Sequence, residues 1–382
     1  MEPISLTKGI ILYDRSRVTT DWNCGMKRYW NYEHDGKGVT ADALALELFL
    51  GTTFHDAAAV IATLQMEKRF IDIDQICAAA YAQVLDTIMG AWDGLDRAKW
   101  EEFANEQACL SEGLIRAFYR DIWPALMADY KVVAVEKEFE YRHDINGKAD
   151  PEGQFIFMVK PDLLLEDSDG NVIYFEYKTT SSKKDGWINS WNTAIQLHST
   201  CRAVQAAGFN CVGVIVQGVY KGYESYGKQS SPFCYAYHRY GNPPFTKDEF
   251  SYDYRPGFKK FPLWLKDGGV KDWVAGMSEE MIGEQFPRTP PIFPKDDLVD
   301  RFFQQRAYRE FEIRNMGPMA PQIVFQQNFQ ECSPGWGKPC SFRRLCHGQQ
   351  GADPLDHGYM YRTPHHTPEV EAWNDKNIET GV

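Results

Sequence analysis

Two periodicities divide the chain. From 41 to 130 apolar residues recur mainly at helical spacing. Gly51-Thr52-Thr53 predicts a helix start with a threonine as N-cap, and Phe54–Phe70 the helix that follows. The small run Ala57-Ala58-Ala59 would let its backbone approach a neighbour closely. From 131 the texture changes to strands. Lys131–Arg142 (KVVAVEKEFEYR), Phe155–Glu166 (FIFMVKPDLLLE) and Asn171–Thr180 (NVIYFEYKTT) each predict β-structure, the last two joined by the turn composition Asp167-Ser168-Asp169-Gly170. Trp187–Ala207 predicts a helix with Ala194, Leu197, Cys201 and Val204 on one face, and Cys211–Tyr220 a buried strand. The order strand, strand, strand, helix, strand predicts an α/β or α+β layer fold with a mixed sheet flanked by helices. Residues 221–300 are irregular and rich in Gly, Pro and Tyr, with a strand expected at Phe233–Tyr240. Asp297–Asn315 predicts a helix, and 349–382 a polar, mobile tail. There is no internal repeat and no low-complexity block.

Composition narrows the class. The 382 residues suffice for one elaborated domain or two modest ones. Hydrophobic residues at 43% and charged residues at 25% are an ordinary globular balance. Aromatics reach 14%, enough to fill a core and to stack on bases. No apolar run approaches the roughly 20 residues that cross a bilayer, and Met1–Leu12 lacks the pattern of a secretion signal, so a cytoplasmic protein without a membrane partner is expected. A net charge of −12 argues against broad wrapping of nucleic acid and leaves room for a local basic groove. The basic pairs Lys27-Arg28, Lys183-Lys184, Lys259-Lys260 and Arg343-Arg344 read individually as solvated surface. Nine cysteines in a reducing compartment do not suggest a disulfide framework; Cys77, Cys109, Cys201, Cys211 and Cys234 read as core filler.

The chemistry concentrates in the hairpin 155–180. Glu176 and Lys178 are two apart and share a strand face. If the turn is symmetric about Asp169, Asp162 lies opposite Glu176. Two carboxylates at close range repel unless a cation lies between them, and hard oxygen donors suit Mg²⁺ or Mn²⁺. Such a metal would lower the pKa of a bound water and stabilise charge on a scissile phosphate. Lys178 would hold or deprotonate that water, and the Tyr177 backbone carbonyl could complete the metal shell. An exposed Glu-x-Lys is often only a surface ion pair. Here Val172, Ile173, Tyr174, Phe175 and Tyr177 make the strand apolar on both faces, which disfavours casual surface charge.

Pro161-Asp162 followed by Glu176-Tyr177-Lys178 resembles the signature of the PD-(D/E)XK nuclease superfamily. Gly51-Thr52-Thr53-Phe54-His55 is similar to the Gly-x-x-x-His helix of its RecB-like branch, which implies His55 as a further metal ligand. Gln196 stands where that branch has a Gln-x-x-x-Tyr motif that contacts DNA or the site, although Thr200 occupies the tyrosine position. The resemblance implies one RecB-like nuclease domain over 1–348, with a helical region at 41–130, a catalytic core at 131–220, an inserted or accessory region at 221–324 and a cysteine segment at 325–348. It implies hydrolysis of DNA at ends or in single strands, in repair, recombination or phage DNA metabolism, by an exonuclease rather than an endonuclease, with a helicase or recombination partner. The rival reading is a non-catalytic nuclease-like scaffold that binds DNA or a helicase.

Cys332, Cys340 and Cys346 follow a C-x7-C-x5-C pattern, and Cys24 stands near the other end. Three clustered thiolates and one remote thiolate can form a four-sulfur site. The tight C-x₂₋₄-C knuckles of structural zinc are missing here, and longer spacing is compatible with a larger cluster. The arrangement resembles the iron–sulfur nucleases of the AddB and CRISPR-associated exonuclease type, which implies a [4Fe–4S] cluster, with zinc as the alternative. Joining segments about 300 residues apart would restrain the unfolded chain, a structural role first.

Overall fold

The structure is a computed structural model that describes residues 10–41, 46–91, 94, 97–180, 186–220, 224–226, 229–231, 279–315, 321–332, 340–347, 353–363 and 366. The expected strand at Phe233–Tyr240, Cys234, Lys183-Lys184 and Lys259-Lys260 lie outside them.

The fold is mixed α/β. Strand β1 (Ile11–Asp14) leads into helices α1 (Arg15–Asn23) and α2 (Gly25–Arg28), and β2 (Val39–Ala41) precedes the long helices α3 (Leu46–Met66), α4 (Ile73–Gly90) and α5 (Arg97–Ala117). After α6 (Trp123–Asp129) come β3 (Lys131–Val135), β4 (Phe139–His143), β5 (Phe155–Val159), β6 (Leu163–Glu166) and β7 (Val172–Thr180). The short α7 (Trp187–Ser190), α8 (Ile195–Ala206) and β8 (Cys211–Tyr220) follow. The central sheet has the order β3-β6-β7-β8, with β7 and β8 parallel and the other pairs antiparallel. A second sheet has the order β1-β5-β4. Among the described residues no helix is long and apolar enough to cross a membrane.

Strand alternation assigns the two faces of the central sheet. Leu163, Leu165, Ile173, Phe175 and Tyr177 pack into a core with α3, α4, α5 and α6. Leu164, Val172, Tyr174, Val214 and Val216 pack on the other face with α8, β5 and the helix Asp296–Asn315. This is the period-two rule acting on a strand buried on both sides. The exposed edge of β8 is covered by 287–292: Val214 and Ile292 exchange backbone hydrogen bonds of 2.9 and 2.8 Å, and Gly218 N–H donates to Pro287 O at 2.6 Å. Covering the edge removes a template for pairing with other chains.

Three sequence expectations are redrawn. Helix α3 is already formed at Leu46, so Gly51-Thr52-Thr53 lies inside it rather than at its start; Leu50 and Thr53 are buried, and continued packing of that face carries the helix through the glycine. The single strand expected over 155–166 is two strands in different sheets. Pro161 breaks it, because a residue without an N–H cannot continue a central ladder. The helix expected over Trp187–Ala207 is interrupted: Trp191–Thr193 is a 3₁₀ turn, and Ala194 adopts an extended ψ of 98° before α8 begins. The helix at 297–315 is present as Asp296–Asn315. Beyond 348, β9 (Tyr359–Tyr361) pairs antiparallel with β2, so ordered packing reaches into the segment read as a tail.

Candidate functional site

The β6–β7 turn sets the register of the site. Asp167 O accepts from Gly170 N–H at 3.2 Å, and the Asp167 carboxylate caps Asp169 and Asn171 N–H at 2.9 Å each. Gly170 takes the φ of 80° that closes the turn without a Cβ penalty. The ladder then pairs Leu163 with Phe175, which places Asp162, one residue outside β6, opposite Glu176. This is the register that symmetry about Asp169 demands.

Asp162 is fixed from two sides. Its Oδ2 accepts from Tyr177 N–H at 2.7 Å, and its Oδ1 lies 3.3 Å from His55 Nδ1 on α3. The His55 ring stands edge-on to Tyr177 at 5.7 Å. Burial opposes protonation of His55, but the hydrogen bond and charge of Asp162, aided by Glu176, outweigh it and raise the imidazole pKa.

Glu176 is 4% exposed. Its carboxylate takes the Lys178 ammonium and Arg15 Nη1 (3.5 Å) on Oε1 and the Tyr174 hydroxyl on Oε2. Burial alone would raise its pKa, but the positive charges of Lys178 and Arg15 hold it below the usual carboxylate value. Burial and the charges of Glu176 and Asp162 push Tyr174 well above the ordinary phenol value, so this hydroxyl stays a donor. Asp162, Glu176, Arg15, Lys160 and Thr200 line one cavity of about 270 Å³. Gln196, one turn before Thr200 on α8, faces a neighbouring cavity instead.

Sequence reasoning passed over Glu136 and Arg15. Glu136 follows β3 with a φ of 46°, its N–H donates to Asp162 O at 3.0 Å, and Lys160 pairs with its carboxylate at 2.8 Å. Burial, with the Asp162 charge adding to it, raises the Glu136 pKa. Among the described residues, donor atoms of His55, Glu136 and Asp162 form the group able to hold a metal, all within 4.8 Å of one another. A parity slip marks the Glu136 break in sequence. Val132 and Ala134 are buried at even positions, and Phe139, Tyr141 and His143 at odd ones.

Segments distant in sequence, 21–28 and 306–346, meet near Cys24. Met26 N–H donates to Gln326 O at 3.4 Å, and a Cβ on Gly25 would fall 2.7 Å from Gln326 N, so only glycine permits this approach. Arg28, buried on α2, forks onto Glu310 at 2.7 and 2.6 Å, and Asp21 accepts from Arg306 and Arg309 at 3.2 Å. The four cysteines converge here. Cys24 Sγ accepts from Asn328 N–H and Cys332 Sγ from the Gln327 amide, both at 3.3 Å, and Cys340 N–H donates to Cys332 O at 3.3 Å. Burial pushes the Cys346 thiol up to about 11, with Cys340, Cys24 and Cys332 adding to the rise.

Compared with known proteins, the chain matches no protein-family model and no curated protein.

Proposed function

We propose that the chain is a metal-dependent deoxyribonuclease of the PD-(D/E)XK type, an exonuclease acting on DNA ends or single strands. One observation carries the reading: Asp162 faces Glu176 across a hairpin, with Lys178 on one carboxylate and His55 on the other. Buried Glu176 and half-buried Asp162 and Glu136 are gathered at one place beside Lys178, Arg15, Lys160 and His55, a carboxylate-rich site suited to a cation. The central sheet β3-β6-β7-β8 is mixed and has helices on both faces, which is compatible with the core the resemblance implies.

The donor set of carboxylates and one imidazole suits Mg²⁺ or Mn²⁺. His55, Asp162 and Glu136 would hold the cation, with Glu176 and the Tyr177 backbone carbonyl as the further ligands that the resemblance implies. When bound, the metal supplies an acidified water and charge for the phosphate. Tyr177 N–H fixes the Asp162 rotamer, and Lys178, with Arg15 and Tyr174, keeps Glu176 ionised. Lys178 carries the positive charge that offsets negative charge growing on the reacting oxygens. The four cysteines, gathered at one place with N–H donors on two of the sulfurs, would hold the [4Fe–4S] cluster that the resemblance implies, with zinc as the alternative. Its role would be to staple the two ends of the chain.

The test is cleavage of end-labelled single- and double-stranded DNA by anaerobically purified protein, with Mn²⁺ or Mg²⁺ and with chelator. Metal-dependent cutting that disappears in Glu176→Ala is expected. A brown, folded, iron-loaded protein that cuts neither substrate would overturn the catalytic reading in favour of a DNA- or helicase-binding scaffold.

A further inference from the structure

One wall of the carboxylate cavity comes from the segment beyond 348. His366, 8% exposed, lines it together with Asp14, Lys160 and Glu176. The chain before it is tied down in steps. Strand β9 pairs with β2, Arg362 N–H donates to Gly38 O at 3.0 Å, and the Arg362 guanidinium lies 4.6 Å from the Tyr32 ring. Four residues further on, an imidazole stands in the cavity wall.

Two carboxylates flank that ring. Glu138 Oε1 lies 2.9 Å from His366 Nδ1, and Asp14 Oδ2 lies 3.9 Å from Nε2. Asp14 is among the residues that line the cavity and Glu138 is not, so the ring turns its Nε2 edge inward. A carboxylate on one ring nitrogen fixes the orientation in which the other acts. Both partners flank strands of the second sheet: Asp14 closes β1, and Glu138 directly precedes β4. Tyr174 and Glu176 stand on the central sheet, with Asp162 at the edge of β6 and Glu136 after β3. The cavity therefore lies between the two sheets, with the metal-suited donors on one side and His366 on the other.

Hydrolysis of a phosphodiester joins a water oxygen to phosphorus and breaks one ester P–O bond, whose electron pair leaves with the bridging oxygen. That oxygen departs as an alcohol only when it receives a proton. In-line displacement puts the attacking and departing oxygens on opposite sides of phosphorus. The other side chains of the cavity are poor sources of the proton. Arg15 cannot give one up. Lys160 is paired with Glu136 at 2.8 Å, on the side of the metal-suited donors. Tyr174 donates to Glu176, and its phenol pKa stands well above the ordinary value. Ser16 and Thr200 are alcohols, no stronger as acids than the departing group. Imidazole transfers protons readily near neutral pH. We propose that His366 is the proton donor to the departing bridging oxygen, with Glu138 as the residue that positions it. His366 Nε2–H gives its proton to that oxygen; the attacking water loses one to solvent, and the neutral ring recovers one from it. The inference rests on the nuclease reading and adds the acid to that site.

The test follows single-turnover cutting with Mn²⁺ of oligothymidine, alone and annealed to its complement. The strand is made in three forms: all oxygen, and with sulfur replacing the 3′- or the 5′-bridging oxygen of each linkage. The ends of the wild-type product identify which bridging atom departs. A thiol is a much stronger acid than an alcohol, so a thiolate leaves without a proton. His366→Gln should cut the all-oxygen strand about 10²- to 10⁴-fold more slowly, the contribution of a positioned acid. It should cut the strand with the departing sulfur as fast as the wild type does. Glu138→Gln should show the same pattern with a smaller loss. Binding with Ca²⁺, read by fluorescence anisotropy, should be the same for all three proteins. Equal cutting of the all-oxygen strand by His366→Gln and the wild type, or a defect that sulfur does not relieve, would overturn the inference and leave the nuclease reading standing. A wild type that cuts no form sinks the nuclease reading and this step with it.

Discussion

Lys178→Ala separates the electrostatic role of this lysine from its chemistry. Glu176 is almost wholly buried, and Lys178 is the largest opposing influence on a carboxylate that burial would otherwise protonate. Breaking a buried ion pair costs about 3–5 kcal/mol because one charge is left uncompensated. Here Arg15 remains 3.5 Å away, Tyr174 still donates, and the Lys178 side chain is 23% exposed, so about half of that, roughly 2 kcal/mol, is expected at pH 8. The pH sign follows from Glu176. In the wild type its folded pKa lies below the unfolded value, so it contributes stability above that unfolded value, lost as pH falls through the folded pKa. Without Lys178 burial dominates, the folded pKa moves above the unfolded one, and the penalty shrinks as acid protonates the group. Urea denaturation at pH 5 and pH 8, with and without Mn²⁺, reads all of this. The variant should be destabilised at pH 8, less so at pH 5, and should gain more from Mn²⁺ than the wild type, since the cation replaces the missing charge. Cutting should fall by roughly 10²–10³-fold, as when one transition-state donor is removed. A variant as stable as the wild type at pH 8 would refute the assignment of Lys178 as the counter-charge of Glu176, and full activity would refute its part in catalysis.

Glu136→Gln should weaken Mn²⁺ binding about tenfold by calorimetry, roughly the loss of one charged ligand interaction; an unchanged affinity would remove Glu136 from the ligand group. His143, whose pKa burial lowers to about 4, should make stability fall as pH drops from about 6.5 towards 4, because the unfolded chain takes up the proton first. His143→Gln should flatten that limb of the denaturation curve, and an unaltered limb would place the acid sensitivity elsewhere. Cys340→Ala should lower iron content and solubility together, and an unchanged iron count would remove this thiol from the ligand set. Glu310→Ala should destabilise the fold by about 3–5 kcal/mol in denaturant, since it strands the buried Arg28 charge; a loss under 1 kcal/mol would show that Glu33 alone suffices.

The parts of this fold that were legible in sequence are those set by local rules. The turn 167–170 fixes its own geometry through an aspartate cap and a left-handed glycine, so the pairing of Asp162 with Glu176 follows from counting. The apolar run Val172–Tyr177 marks a strand buried on both faces whatever covers it. What escaped depends on partners distant in sequence. Glu136 looks like one more charge in an alternating strand, and its place beside Asp162 exists only because β3 and β4 join different sheets. The parity slip after Ala134 carries that break, but a slip alone does not say which charge is turned inward. Arg15 reaches Glu176 only when β1 pairs with β5 beneath α8, so it has no local signature. Gln196 illustrates the same limit from the other side. Its motif lacks the tyrosine at position 200, where Thr200 lines the carboxylate cavity, and the phenol that touches Glu176 comes from Tyr174 on β7. Helical spacing puts Thr200 where the motif has a tyrosine, whereas the Tyr174 phenol reaches Glu176 at strand spacing, two residues before it. Tyr174→Phe therefore tests whether that hydroxyl matters: it removes one donor from a buried carboxylate, which should raise the Glu176 pKa and shift the acid limb of the cutting rate to higher pH. An acid limb that does not move would leave Lys178 and Arg15 as the whole of Glu176's support.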